Sequence, residues 1–292
     1  MAPSPGQLYL VSTPIGNLDD ISPRALATLS SVSLILAEDT RHSRRLLDRY
    51  EIRTPTVSYH EHNEARATPR LIERLSAGES MALISDAGTP LLSDPGERLV
   101  SAAIEAGIRV TPIPGASALL AALVASGMAA ERFTFFGFPP RKGRERATFI
   151  DEVVLLPHTS VLYEAPGRVA ATLGELAVAG AGERRVAVAR ELTKQFEELR
   201  RGTVGELARY YQDSPPRGEV VIVLAGADPT VEQIDEDALR SRAGELLAAG
   251  RSARDVARAL IAEHGVPRND AYRLAQEAGL AAEVSEPDVH SQ

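Results

Sequence analysis

The sequence contains no cysteine, which excludes disulfides and thiolate metal sites. No apolar run approaches the roughly 18 residues that cross a bilayer. The opening MAPSPGQ lacks a charged start followed by an apolar stretch, so no secretory leader is expected. Internal repeats and low-complexity tracts are missing as well. Lysine is nearly so: every basic residue except Lys142 and Lys194 is an arginine. These absences together point to a soluble, cytoplasmic chain without a membrane partner.

What is present is ordinary globular material, 292 residues with 44% hydrophobic side chains. That length predicts two domains and a short extra module. The net charge of −8 argues at first against nucleic acid. The basic residues are clustered, however, in Arg41 to Arg49, Arg141 to Arg146 and Arg240 to Arg273, and phosphate contacts are made by patches rather than by totals. The plainer reading is that arginine is the favoured surface cation here.

The chain order predicts an α/β fold. Leu8 to Ser12, Leu34 to Glu38, Met81 to Ser85 and Arg109 to Ile113 read as buried strands. Between and after them come helices after Ser22, from Arg41 to Tyr50, Glu64 to Ala77, Gly96 to Ala106 and Ala116 to Ser126. Such alternation implies a parallel sheet covered on both faces. Ser22 is placed to cap a helix, with Pro23 at its first position. From Phe133 the rhythm loosens, with apolar runs at Phe133–Phe136, Ser160–Tyr163, Arg185–Ala189 and Val220–Leu224 and a helix at Arg168 to Ala179, which fits a mixed sheet. After Asp228-Pro229 three short helices are expected near Asp237–Ala249, Ala253–His264 and Asn269–Ala278, parted by Gly250 and by Gly265-Val266-Pro267, like a helix-turn-helix module. The expected domains are 1–126, 127–229, 230–283 and a flexible tail 284–292.

Three loops follow the carboxyl ends of the expected parallel strands, where open α/β sheets bind ligands. The first, Thr13 to Leu18, is not a GxGxxG dinucleotide fingerprint. The second runs Asp86-Ala87-Gly88-Thr89-Pro90 through Asp94-Pro95-Gly96, and the third is Pro114-Gly115-Ala116-Ser117-Ala118. Each alone reads as a tight connection; their shared sheet edge makes a joint site. None carries lysine or arginine and no GxxxxGK occurs, which disfavours a triphosphate. A ligand there is held mainly by backbone amides and carbonyls.

The stretches LYLVSTPIGNLDDIS, LAEDTRHSRRLL, LISDAGTPLLSDPG, PIPGASALLAAL and FFGFPPRKGRER occur in this order, followed by Tyr163 to Pro166 with Arg168 and by Ala189 to Lys194. In these motifs the sequence resembles the tetrapyrrole-methylase superfamily, and within it the branch that methylates small-subunit ribosomal RNA. Tetrapyrrole-acting members usually carry a GxGxGD-like first loop, and here Pro14-Ile15-Gly16-Asn17 stands instead. The resemblance implies two α/β domains, S-adenosylmethionine as methyl donor in the cleft between them, and a homodimer. It implies as acceptor the ribose 2′-hydroxyl of a cytidine in the decoding region of 16S ribosomal RNA, free or in the assembled subunit. Carried over by motif, donor contacts are expected from Pro14, Asp86, Gly88, Thr89, Pro90, Ser117 and Ala118, and from Phe138, Ala165, Gly218, Glu219 and Val220.

A ribose hydroxyl is a poor nucleophile, so a base that takes its proton helps. Glu38 and Asp39 are the candidates, since they end a strand on the ligand edge. The competing role for Asp39 is to cap the helix starting at Thr40. Arg41, Arg44 and Arg45 on that helix, and Arg141, Lys142 and Arg144 beyond the phenylalanine-rich run, are candidate RNA contacts; for the helix, the alternative is a solvated face. Phe138 is the one phenylalanine of that run expected to meet a ligand. His60, Glu61, His62 and Glu64 suggest a metal only weakly, because no distant ligand set accompanies them, and no metal is expected. Two rivals remain open: a same-fold methyltransferase of a tetrapyrrole or other small molecule, and a non-catalytic RNA-binding assembly factor.

Overall fold

The computed structural model describes residues 5–227, 236–264 and 268–284. The chain forms two compact units, Met1–Ala227 and Asp228–Gln292. Among the described residues no helix is long and apolar enough to cross a membrane.

The first unit contains two five-stranded sheets. Sheet one joins β1 (Gln7–Val11), β2 (Leu34–Ala37), β3 (Thr56–Ser58), β4 (Met81–Ile84) and β5 (Arg109–Ile113) in the order β3-β2-β4-β1-β5, all parallel. Alternate side chains of its central strands enter two separate cores, as a period of two requires. Val11, Ile35, Ala37, Ala82 and Ile84 meet α1 (Pro23–Ser31) and α2 (Thr40–Arg49). Leu8, Leu34, Leu36, Met81 and Leu83 meet α3 (Glu64–Ser76) and α4 (Glu97–Glu105). Ser22 caps α1 as expected, its hydroxyl accepting from the Ala25 N–H at 3.1 Å.

α5 (Ala118–Ser126) leaves the end of β5 but packs on sheet two. Leu119, Ala122 and Leu123 lie against Val161, Ala187, Ala189, Val221 and Val223. Sheet two joins β6 (Phe133–Phe135), β7 (Thr159–Glu164), β8 (Arg185–Arg190), β9 (Glu198–Thr203) and β10 (Val220–Leu224) in the order β6-β7-β10-β8-β9. Only the β6–β7 pair is parallel, so the sheet is mixed as expected. Its other face buries Leu162, Val186, Val188, Val220 and Ile222 under α6 (Arg144–Leu155), α7 (Val169–Leu176) and α8 (Val204–Asp213). α6, α8, β3 and β9 are elements that the apolar pattern did not announce.

The second unit is helical. α9 (Glu236–Ala248), α10 (Ala253–His264) and α11 (Arg268–Val284) share a small core of Leu239, Ala243, Leu246, Val256, Leu260 and Leu274. The expected breaks at Asp228-Pro229 and Gly265-Val266-Pro267, and the expected tail apart from Val284, lie outside the described residues.

Candidate functional site

The loops at the carboxyl edge of sheet one are hydrogen-bonded into a single object. Thr13 and Gly88 exchange backbone bonds, Thr13 N–H to Gly88 O at 2.8 Å and Gly88 N–H to Thr13 O at 3.1 Å. The Thr13 hydroxyl donates to Ser85 O at 3.2 Å. Thr89 donates to Ala116 O at 3.2 Å and lies 3.1 Å from the Ser12 hydroxyl. Gly88 has φ +82°, a conformation only glycine adopts without strain, and its missing side chain leaves the backbone open to close approach. Leu91 and Ser93 further along the same loop hold positive φ despite their side chains, so the surrounding contacts impose the loop's shape.

Two cavities open at this edge. A carboxylate cavity of about 360 Å³ is lined from sheet one by Glu38, Asp86 to Thr89, Leu92 to Asp94 and Ala118, and from sheet two by Phe138, Tyr163, Ala165 and Gly218 to Val221. The structure thus brings together nine of the twelve expected donor contacts: Asp86, Gly88, Thr89, Ala118, Phe138, Ala165, Gly218, Glu219 and Val220. Pro90 is buried in its loop beside Thr89. Ser117 caps α5 beside Ala118, its hydroxyl accepting from Leu120 N–H. Pro14 belongs to the neighbouring cationic cavity of about 650 Å³, with Gly16, Leu18, Arg41, His42, Arg45, Leu46 and Lys194. Ile15, Asp86, Ala87 and Glu219 line both cavities and form their common wall.

Among the carboxylates lining the first cavity, Glu38, Asp86 and Asp94 crowd one another. Burial pushes Asp94 up to about 6, and nearby Glu38 and Asp86 push it the same way against a hydrogen bond from Ser85. Burial, then the Asp86 charge, also raises Glu38 above the ordinary glutamate range. Asp39 differs. Its Oδ1 accepts from the Arg41 N–H at 2.8 Å and its Oδ2 meets Arg41 Nη2 at 3.0 Å, so it caps α2. The Arg41 hydrogen bonds hold its carboxyl down at about 2, which leaves it a weak base. The two expected catalytic residues therefore part company, Glu38 facing the cavity and Asp39 tied to Arg41.

Opposite the first-sheet loops, Tyr163 stacks edge-on to Phe135 at 4.9 Å between ring centroids and lies 5.5 Å from the ring of Phe138, which is 59% exposed. Glu164, 2% exposed, takes an ion pair from Arg168 at 3.2 Å, a hydrogen bond from Thr172 at 2.5 Å and one from Ala165 N–H at 2.8 Å. Arg168 and Arg146 also donate to the carbonyls of Pro139 and Pro140. This buried network anchors both Ala165 and the base of the basic loop. Arg146 is spent inside it, on Glu175 and Thr172, while Arg141, Lys142 and Arg144 stay exposed. Arg141 and Lys142 border a separate open depression. Arg44 sits exposed on α2, beside the cationic cavity that Arg41 and Arg45 line.

The loop after β8 straps sheet two to the first loop. Thr193 accepts from the Asn17 N–H at 3.0 Å, and Gly16 packs against Lys194 with no room for a side chain. Lys194 Nζ sits 2.9 Å from Glu191 Oε1 and 3.0 Å from Glu219 Oε2. Burial disfavours its charge, but the two carboxylates outweigh burial and raise its pKa. Gly218, at φ +81°, lies so close to Glu191 that a β-carbon would collide with the carboxylate. The sequence reading gives Asp94, Tyr163, His42 and Lys194 no functional role. Two signals point to them nonetheless: Asp94 stands inside an expected ligand loop, and Lys194 is one of only two lysines.

Comparisons with known proteins give the family and the fold. A family model described as Tetrapyrrole (Corrin/Porphyrin) Methylases matches residues 7–208. The chain is 47% identical over 273 residues to "Ribosomal RNA small subunit methyltransferase I" of Synechocystis sp., covering 93% of this chain and 98% of that protein. It is 52% identical over 227 residues to the protein of the same name from Mesorhizobium japonicum, covering 77% of each. Among solved structures, uroporphyrin-III C-methyltransferase from Thermus thermophilus complexed with S-adenyl homocysteine aligns with TM-score 0.54 and 18% identity, over 75% of this chain and 97% of that one. A diphthine synthase aligns with TM-score 0.57 and 16% identity, over 75% and 90%. At these identities the structural matches establish the fold alone.

Proposed function

This chain belongs to the tetrapyrrole (corrin/porphyrin) methylase family, and on that premise we propose that it transfers a methyl group from S-adenosylmethionine to small-subunit ribosomal RNA. The observation that carries this reading is the near full-length likeness to relatives named for that activity. The finer assignment is to the ribose 2′-hydroxyl of a cytidine in the decoding region of 16S ribosomal RNA. Ribosomal RNA as substrate makes the cytoplasm the place of action.

The carboxylate cavity fits the donor in its chemistry. Glu38, Asp86 and Asp94 offer negative charge to a cationic ligand. Phe138 and Tyr163 offer apolar ring faces, and Gly88 admits a ligand close to the backbone. When bound there, S-adenosylmethionine supplies an electrophilic methyl group on a sulfonium sulfur. The chain's own part is to hold the acceptor in line, which accounts for much of the acceleration in such transfers, and to remove a proton. Glu38 accepts the proton of the attacking hydroxyl, and its raised pKa makes it a better base than an ordinary glutamate. Asp39 orients the first turn of α2 through Arg41. Arg41, Arg44 and Arg45 hold phosphates near the acceptor, and Arg141, Lys142 and Arg144 hold more distant ones. α5 supports a homodimer: it is apolar on every side, and Leu120 and Val124, 50% and 75% exposed, form an outward strip suited to a second copy.

The test is methyl transfer from labelled S-adenosylmethionine to small ribosomal subunits lacking the modification, with naked ribosomal RNA and a precorrin in parallel and the labelled nucleotide mapped. Label at a cytidine ribose in subunits or RNA is expected. Label on the precorrin alone would assign the protein to tetrapyrrole chemistry, and label nowhere would end the methyltransferase reading.

A further inference from the structure

Phosphate binding occupies only the cations of the cationic cavity. Its remaining walls mix apolar and polar groups, His42, Ser85 and Asp86 among the latter. Pro14, Leu18 and Leu46 supply apolar surface, and Lys194 and Glu219 supply a donor beside an acceptor. Arg45, exposed at the cavity, forms no ion pair among the described residues.

We propose that this cavity seats the target nucleotide, withdrawn from the RNA stack, with Arg41 and Arg45 on its flanking phosphates and the Glu219–Lys194 pair against the Watson–Crick edge of a cytosine. The inference rests on the RNA-methylating reading above. Size supports it, since about 650 Å³ lies within the roughly 300–1,000 Å³ of pockets that enclose small molecules. So does position: the wall of Ile15, Asp86, Ala87 and Glu219 separates this cavity from the carboxylate cavity, so a nucleotide seated here brings its ribose to the donor. Enzymes that act on one nucleotide commonly take it out of the stack or use single strands.

The polar pair matches cytosine and mismatches uracil. Cytosine presents an amine next to ring acceptors. A carboxylate accepts from that amine, which is the part of Glu219. An ammonium carries three N–H donors; two of those on Lys194 go to Glu191 and Glu219, and the third serves N3 or O2 of the base. Uracil sets a carbonyl oxygen where cytosine has the amine, and that oxygen faces the Glu219 carboxylate acceptor to acceptor. Lys194 is set in advance between the two carboxylates, and Glu191 Oε1 also accepts from the Glu219 N–H at 3.1 Å, which fixes the backbone beneath the Glu219 side chain. Selection therefore costs little ordering when the base arrives.

The experiment uses the full-length protein, with S-adenosylhomocysteine present to prevent turnover, and a small-subunit RNA carrying a fluorescent cytosine analogue at the mapped position, both free and reconstituted into small subunits. Binding is expected to raise the analogue's fluorescence several-fold as it unstacks. The same RNA and subunits without the analogue are assayed for methyl transfer with the same protein, S-adenosylhomocysteine being replaced by the methyl donor. Transfer with unchanged fluorescence overturns the seat alone, whereas no transfer overturns the RNA-methylating reading and the seat with it. Base choice is tested with Glu219→Gln, comparing kcat/KM on RNAs with cytidine or uridine at the target. The wild type is expected to prefer cytidine by roughly tenfold or more, and the variant to lose most of that ratio. Arg45→Glu serves as the second variant: its KM for RNA rises while the cytidine-to-uridine ratio holds. An unchanged ratio in Glu219→Gln overturns the assignment of the pair, since any change in donor affinity is common to both RNAs and cancels in the ratio.

Discussion

In the carboxylate cavity the groups offered to a ligand are backbone atoms and acids on loops already bonded to one another through Thr13, Gly88, Thr89 and Ala116. In the cationic cavity they are long side chains projecting from α2, of which Arg45 has no ion-pair partner among the described residues. The first arrangement loses little conformational freedom on binding and suits one small molecule repeated at every turnover. The second must order Arg45 as the ligand arrives, about 2 kcal/mol of rotamer freedom for a long side chain, while Arg41 already rests on Asp39. It gains in exchange a reach that tolerates the varied backbone of a polymer. One wall of Ile15, Asp86, Ala87 and Glu219 serves both, so a rigid site and an adaptable one meet where the reaction would occur.

The sharpest break in this contrast comes from the acids. Glu38→Gln is expected to lower kcat by about 10²- to 10⁴-fold while donor affinity changes little. The acid limb of the wild-type rate profile, lying above the ordinary glutamate value of 4.5, should vanish with it. Asp39→Asn keeps the cap, since asparagine caps as well as aspartate, and should turn over near the wild-type rate. Single-turnover kinetics on both decide the matter, and equal damage from the two would return Asp39 to the mechanism.

On the cationic side, Arg141→Glu with Lys142→Glu should weaken RNA binding and flatten its salt dependence, by a slope of roughly one for each phosphate no longer neutralised. Calorimetry with the methyl donor should read wild-type affinity, and a fall in both affinities would indicate a folding defect.

The smallest expected effect sharpens the comparison instead of breaking it. Asp94 titrates at about 6 in the folded chain against 3.8 for an ordinary aspartate. Between those values the folded state holds more protons than the unfolded one, so its stability falls as pH rises. Asp94→Asn should therefore melt higher than the wild type at pH 7 without ligand, the gap closing as pH falls towards 3.8. Its affinity for the cationic donor should drop, by roughly tenfold at most, and wild-type affinity should weaken as pH is lowered through about 6. A variant that melts lower at pH 7 would contradict the account.

Much of this was legible in the sequence because buried parallel strands are continuous apolar runs. β2 and β4 are buried at every position, and the loop after β4 is dense in glycine, proline and aspartate. β9 was not legible: Glu198–Thr203 carries Glu198, Arg200 and Arg201 on a sheet edge, paired with Arg190 and backbone rather than buried. β3 is three residues long and largely exposed. The packing of α5 on sheet two was hidden too, since a helix apolar on all sides does not announce which layer it joins. Within the site, loop backbones were readable from residue type. The separation of Glu38 from Asp39, and the meeting of Lys194 with Glu219, depend on side-chain directions and on contacts between distant segments, which no local pattern encodes.

The scarcity of lysine has a practical sequel. Apart from the chain's α-amino group, an acylating reagent meets only two amines, Lys142 on the exposed basic loop and Lys194 clasped between Glu191 and Glu219. These are two addressable reporters, one on each of the proposed RNA-contacting surfaces, with very different accessibility. Mass spectrometry of two modified peptides would follow the outer grip and the inner seat separately, in one tube and without a single introduced label.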